Sequence, residues 1–329
     1  MSEFLLEVKD LSIIYATEDG VVQALTNANI TLRQGETLGL VGETGAGKTT
    51  LARGIMRLIP DPPGKIVSGQ ILFDGTDLLG LPVKEMRKYR GRQISMIFQD
   101  PMTSLNPVMT VGDQIREVIV THHPEMSRQD TKKHAENMME MVGITSTRYG
   151  DYPHQFSGGM KQRVVIAIAL AGEPRLLIAD EPTTALDVTI QAQVLEMIHA
   201  LKRKSNTAML LITHDLGVVA QNCDSVAIIY AGEIVEYGTL RQVYKNVLHP
   251  YTEGLFGSVP SLEANAQRLA AIEGMMPDPT ALPKGCKFVD RCKYATDRCR
   301  TESPRLLEME DGHKARCFRY EDREVKRHG

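Results

Sequence analysis

Gly42-Glu43-Thr44-Gly45-Ala46-Gly47-Lys48-Thr49 fits the spacing G-x-x-x-x-G-K-[ST], the pattern of a loop that cradles phosphate. Small residues let successive backbone N–H groups converge on phosphate oxygens, and a helix N-terminus behind them adds positive potential. Lys48 has the reach for β- and γ-phosphates, the Thr49 hydroxyl can ligate Mg²⁺, and Thr50 continues the contact set. A glycine turn beside a surface lysine would share the composition but not the strand before it and the helix after it. Leu176-Leu-Ile-Ala179-Asp180-Glu181 is an apolar run ending in two carboxylates. At the carboxyl edge of an open sheet, Asp180 would hold Mg²⁺ and Glu181 would orient or deprotonate an attacking water. Read alone, Asp-Glu-Pro-Thr-Thr could instead cap a helix. Four of five cysteines crowd the tail, Cys286, Cys292, Cys299 and Cys317, while Cys223 stands alone. Their spacing is not that of paired C-x₂-C zinc knuckles. Four thiolates are the ligand set of an iron–sulfur cluster, zinc could also fill four sulfurs, and four buried thiols without metal are the third possibility. His122-His123 has no Cys or carboxylate at ligand spacing, so the reading there is no metal.

Elements must hold these groups, and the hydropathy pattern supplies them. Thr37 to Val41 is a compact apolar strand running into the glycine loop, and Leu51, Ile55, Leu58 and Ile59 follow as one face of a helix. Asp61-Pro62-Pro63-Gly64 stops that helix. Residues 1–35 alternate apolar and polar positions, as at Leu6, Val8 and Leu11, and read as short antiparallel strands. Residues 91–160 turn helical and polar, with Met138, Met139 and Met141 as core filling rather than a cofactor site. Strand signals return at Leu176 to Ala179, Ala208 to Thr213 and Val226 to Tyr230, with a helix carrying Val194 and Ile198 between the first two. Strands alternating with helices predict an α/β fold with a parallel sheet. Gly232 to Gly238 reads as a closing hairpin strand, and a boundary falls near residue 250, where the chain becomes Pro- and Cys-rich.

Composition narrows the function. At 329 residues, 42% hydrophobic and 24% charged, the chain is ordinary globular material of roughly two domains. Aromatics are 5% with no Trp, which argues against a base-stacking surface. Net charge is −3, and residues 284–329 carry thirteen basic and nine acidic side chains, too mixed for a nucleic-acid arm. The longest apolar run, Val164 to Ala171, is far below the roughly 18 residues that span a bilayer. The first residues lack the basic and apolar regions of a signal peptide, so a cytosolic chain is expected, with any membrane role supplied by a partner.

Phe156-Ser157-Gly158-Gly159-Met160, followed by Lys161-Gln162-Arg163, makes the pattern specific: the chain resembles an ATP-binding-cassette (ABC) ATPase through residues 1 to about 245. The resemblance implies a P-loop ABC core, with a RecA-like parallel sheet, an N-terminal antiparallel β subdomain and an inserted helical subdomain at about 91–160. Tyr15 resembles the aromatic that stacks on adenine, and Gln99 in Phe98-Gln99-Asp100-Pro101 resembles the Q-loop glutamine that touches Mg²⁺. Ala185-Leu186-Asp187 resembles the D-loop, and His214 resembles the switch histidine. A core histidine at a strand end is the plain alternative for His214. The signature departs from Leu-Ser-Gly-Gly-Gln at Phe156 and Met160 but keeps Ser157-Gly158-Gly159. In this family that patch caps the γ-phosphate bound by the opposite protomer.

The stretch Gln99-Asp-Pro-Met-Thr-Ser-Leu-Asn-Pro107, the segment His249-Pro-Tyr-Thr-Glu-Gly-Leu255 and the cysteine tail all resemble the oligopeptide/dipeptide/nickel importer branch. That resemblance divides the chain into a nucleotide-binding domain, 1–250, and a Cys-rich extension, 251–329. It implies ATP and Mg²⁺, and a [4Fe–4S] centre on the four cysteines, with zinc as alternative. Lys287, Arg291, Lys293, Arg298 and Arg300 would offset the thiolate charge. Implied partners are a second, non-identical ATPase subunit, two permease subunits that dock after Gln99 at the cytoplasmic face of the membrane, and an external solute-binding protein, with no nucleic acid. The Met-containing signature resembles the first, dipeptide-type ATPase subunit. Rival readings are a soluble ABC ATPase acting on ribosomes or nucleic acid, disfavoured by the single cassette, and an importer of nickel chelates.

Overall fold

The computed structural model describes residues 3–99, 104–183, 188–258 and 272–321. The chain divides into two compact units, one formed by Met1–Thr31, Leu38–Leu79 and Thr213–Gly329, the other by Leu32–Thr37 and Gly80–Ile212.

The first unit opens with the expected antiparallel strands. β1 (Leu6–Thr17) and β2 (Gly20–Leu32) alternate buried and exposed positions, as a half-buried sheet requires. With β4 (Gly64–Phe73) and β5 (Thr76–Asp77) they form a sheet in the order β2-β1-β4-β5. β3 (Thr37–Val41) and β9 (Ser225–Tyr230) are buried at every position and pair in parallel, Leu38 beside Ser225 through Val41 beside Ile228. Continuous apolar runs of this kind are what a sheet covered on both faces selects.

β10 (Glu233–Thr239) forms the expected hairpin with β9, but it does not close the sheet. β12 (His313–Ala315) adds to its free side, Glu236 beside Ala315, and β11 (Leu307–Glu310) pairs with β12 in turn. The tail therefore contributes strands to the unit that carries the glycine loop 42–49. The helix after that loop is shorter than its apolar spacing predicts. It runs Lys48–Ile55, and Arg57, at φ 50, turns the chain left-handed before Leu58 and Ile59.

In the second unit β6 (Ile94–Ile97), β7 (Leu176–Asp180) and β8 (Ala208–Thr213) lie parallel in the order β8-β7-β6 and are fully buried. Helices Val111–His122 and Arg128–Met141 start at Thr110 and Ser127, whose hydroxyls accept from the N–H of Asp113 and Asp130. Met138 and Met139 are core, as expected, and Met141 is 37% exposed. Among the described residues no helix is long and apolar enough to cross a membrane.

Candidate functional site

β3 delivers the chain to Gly42, where a Cβ would drive into the Ile229 carbonyl, and at Gly47 the backbone turns at φ 105 with Ala24 O only 2.6 Å from where a Cβ would stand. Only glycine fits both places. Lys48 opens the helix and is 7% exposed. Its Nζ donates back to the carbonyls of Gly42, at 2.8 Å, and Glu43, at 3.0 Å, which ties the lysine head to the start of the loop. Thr44 and Gly45 are exposed on the rim, Ala46 is buried, and Thr49 and Thr50 are half-buried in the first helical turn. Tyr15 is half-buried on β1 in the same unit, and its ring lies against Gly64. His214 is exposed just beyond the end of β8.

In the second unit β7 ends at Asp180, a carboxylate 1% exposed, and Glu181 follows with φ 47, its N–H donating to Ile212 O at 2.9 Å. A left-handed glutamate is uncommon and aims the side chain away from the strand's path. Gln99, just past β6, donates from Nε2 to Glu181 Oε2 at 3.1 Å, so the parallel pairing of β6 and β7 brings two predicted site residues together. Ser157 caps helix Gly158–Leu170, its Oγ accepting from the Met160 N–H at 3.4 Å. A Cβ built at Gly158 meets nothing within 4 Å, so the fold of this chain does not itself demand glycine there.

The two departures in the signature share one neighbour. Arg148 lies over the Phe156 ring at 4.1 Å and donates to Met160 Sδ at 3.5 Å, while its other donors hold Asp151 and the Gln155 carbonyl. Nothing in the sequence spacing marked Arg148. Asp187, with Ala185 and Leu186, lies outside the described residues, as do Asp100 to Thr103 after Gln99.

The profile of the family described as "ABC transporter" matches residues 25–184, and that of "Oligopeptide/dipeptide transporter, C-terminal region" matches residues 235–299. The oligopeptide transport ATP-binding protein OppD of Bacillus subtilis is 52% identical over 94% of this chain and 87% of its own length. The chain belongs to the ABC transporter family. The dipeptide transport ATP-binding protein DppD of the same organism is 47% identical over 98% of this chain and 96% of its own. A solved ATP-binding cassette, MJ0796, in a dimeric post-hydrolysis state with ADP and Pi, superposes with a TM-score of 0.65 at 26% identity, covering 72% of this chain and 99% of that one. This ABC protein is thus an ABC-type ATPase, for which ATP and Mg²⁺ are the expected ligands.

The four tail cysteines of this ABC protein line one cavity of about 290 Å³, together with His249, Phe288, Arg298 and Arg319. Burial pushes the Cys286 thiol up to about 12 and raises Cys292 and Cys317 as well, against backbone N–H groups of Phe288, Tyr294 and Arg319 that favour the thiolates. Among the described residues no three His, Cys, Asp or Glu side chains gather tightly enough to hold a metal ion.

The basic residues expected to balance thiolate charge mostly face elsewhere. Lys287 donates to Thr26 Oγ1 and the Ala231 carbonyl and pairs with Glu233. Arg291 pairs with Glu43, Lys293 with Glu253, and Arg300 with Asp290. Of the five, Arg298 alone lines the cavity, joined by Arg319. Lysine and arginine next to a cysteine in sequence point where the turns and the short helix of the tail send them, which spacing does not reveal.

The His249-Pro250-Tyr251 segment is structural. His249 is 2% exposed, and burial lowers its pKa to about 3, so it stays neutral and its Nδ1 accepts from the Tyr251 N–H at 3.1 Å. Glu236, fully buried, accepts from the N–H of Leu248 and His249 and pairs with His313 Nε2 at 2.9 Å.

Proposed function

We propose that this chain is the ATP-hydrolysing subunit that energises a membrane importer of di- or oligopeptides, acting on the cytoplasmic face through permease subunits. The match of residues 235–299 to the oligopeptide/dipeptide transporter C-terminal region carries this reading, since a bare cassette would not need it. In the first unit Lys48 takes the β- and γ-phosphates, with the N–H groups of residues 42–50 around them, Thr49 offers a hydroxyl to Mg²⁺, and Tyr15 stacks on adenine. His214 bonds the γ-phosphate or the attacking water.

In the second unit Asp180 and Gln99 offer oxygen ligands to Mg²⁺, and Glu181 is the base. Asp180 suits a cation by its chemistry and position, a carboxylate at the carboxyl end of β7 directly before Glu181. Ser157, Gly158 and Gly159 cap the nucleotide of a second ATPase subunit, and Asp187 is assigned to nucleotide binding by its resemblance to the D-loop aspartate. The open space at Gly158 and the dimeric state of the solved cassette support that division of labour. Bound Mg²⁺ would neutralise charge on the transferring phosphoryl group.

The assembly test is co-purification from detergent-solubilised membranes, followed by ATPase assay with solute-loaded binding protein. Permease subunits should co-purify, and peptide-loaded binding protein should stimulate hydrolysis several-fold, as closure-coupled transport requires. Recovery on ribosomes instead, or stimulation by a nickel chelate but not by peptide, would overturn the peptide reading.

For the tail, the reading is a [4Fe–4S] cluster on Cys286, Cys292, Cys299 and Cys317. One zinc ion needs four sulfurs within about 2.3 Å of a single point, whereas a cubane carries one thiolate on each of four irons and spaces them wider. Four cysteines lining one shared cavity support this reading. When bound, it would draw the raised thiols into the thiolate form and fix the extension's fold. Anaerobically purified protein should be brown, with iron and labile sulfide in near-equal amounts. Zinc alone, or no metal after anaerobic handling, would defeat the cluster and leave the ATPase untouched.

A further inference from the structure

Glu43 is the acidic residue of the phosphate loop, directly after Gly42. A carboxylate there opposes the loop's task, because a nucleoside triphosphate brings several negative charges to the same N–H groups, and like charges at short range in a partly desolvated site repel strongly. The structure shows what answers it. Arg291 Nη1 contacts both Glu43 carboxylate oxygens, at 3.0 and 3.1 Å.

That arginine is built in rather than draped over the surface. Its side chain is 6% exposed, its Nε donates to Glu273 O at 3.0 Å, and its Nη2 donates to Ile272 O at 3.4 Å. The guanidinium lies near the Tyr230 and Phe288 rings, 5.7 and 5.9 Å from their centroids. The turn Val289–Arg291 delivers it from the cysteine-rich tail.

The same residue of the loop is gripped by its backbone. The Glu43 N–H donates to Tyr251 Oη at 3.0 Å, and its carbonyl accepts from Lys48. Tyr251 is fully buried and packs on Tyr230 and Phe288, the rings that flank Arg291. Tail and loop belong to one compact unit. A salt bridge whose only purpose was to fasten the tail would not need to end inside the phosphate loop.

We propose that Arg291 is a positioning residue for ATP: it cancels the Glu43 charge and holds the loop in its open form, so that the C-terminal extension sets nucleotide affinity. The inference rests on Gly42–Thr49 being the nucleotide site. It predicts a charge effect graded by ligand, which a merely structural fastener would not produce. A ligand with more phosphate charge should suffer more from exposed Glu43, and added salt should relieve the loss by screening.

The test measures equilibrium binding of MgATP and MgADP to the purified full-length chain at low and high KCl. Arg291→Met should weaken MgATP about tenfold and MgADP about threefold at low salt, with both losses shrinking at high salt. Arg291→Lys, which keeps the charge without the paired contact, should stay within about threefold of wild type. Glu43→Gln should bind MgATP more tightly than wild type, and Glu43→Gln/Arg291→Met should recover most of the single variant's loss. Equal losses for both nucleotides with no recovery in the double variant, or no loss in Arg291→Met, would overturn the proposal. Lys48→Ala separates the two layers. If it leaves MgATP binding intact, the nucleotide site itself is misread; if it abolishes binding while Arg291→Met does not weaken it, only the role of Arg291 falls.

Discussion

Glu181→Gln should bind MgATP at near wild-type affinity and hydrolyse it at least about a thousandfold more slowly, within the range that loss of a positioned base produces. The glutamate stands at the end of β7 in a left-handed backbone conformation, with its carboxylate held by Gln99 at 3.1 Å. A glutamine keeps the size and still accepts from Gln99, so the strand end is undisturbed, but it cannot take a proton or align a water through a charge. The phosphate loop, which supplies the affinity, is untouched. Lys48→Ala should do the converse. It removes the charge-assisted contact to phosphate and also the Nζ bonds to the Gly42 and Glu43 carbonyls, so binding itself should fall. Equilibrium binding with hydrolysis by the assembled transporter separates the two. Equal turnover by Glu181→Gln and wild type would move the base to another residue.

Glu236→Ala should destabilise the protein by about 3–5 kcal/mol, the loss typical of removing one partner from a buried charged network. Glu236 is fully buried on β10 and accepts from two backbone N–H groups, of Leu248 at 3.0 Å and His249 at 2.9 Å, while pairing with His313 at 2.9 Å. Alanine orphans all three donors, each on a buried residue. The same glutamate fixes the start of helix Pro250–Gly257, which presents Tyr251 to the Glu43 N–H, and borders the β10–β12 pairing. Urea unfolding should show the midpoint falling, and MgATP affinity should drop with it. Glu236→Gln, with one oxygen left to accept, should lose roughly half as much. A change below about 1 kcal/mol would mean that burial of apolar surface alone holds the extension in place.

The residues that could do chemistry were legible because their spacing is itself the physics. A phosphate loop needs small residues over a few consecutive positions between a strand and a helix, and 42–49 has that pattern, with the strand and helix found where they were expected. The apolar runs 37–41, 176–180 and 208–213 were readable as strands because burial on both faces demands unbroken hydrophobicity. The signature at 156–160 was legible through its resemblance to the family's Leu-Ser-Gly-Gly-Gln, and the structure adds that Ser157 caps the helix that follows.

What spacing could not supply was where polar side chains from remote segments end. The helix after the phosphate loop stops at Ile55 although apolar positions continue, because Arg57 turns left-handed and Arg57 Nη1 donates to Leu78 O at 2.8 Å. β10 read as a closing strand and instead receives β12, since nothing in a strand's own alternation says whether its free edge will be paired. Arg291, one residue before a cysteine, reads naturally as a counter-charge for a thiolate, yet it lies against a carboxylate 248 positions away in the chain. Sequence fixes which elements form, because helix and strand periods arise between near neighbours. Which buried charges meet depends on strand order and on the depth at which each side chain is stranded, and that only the packed fold decides.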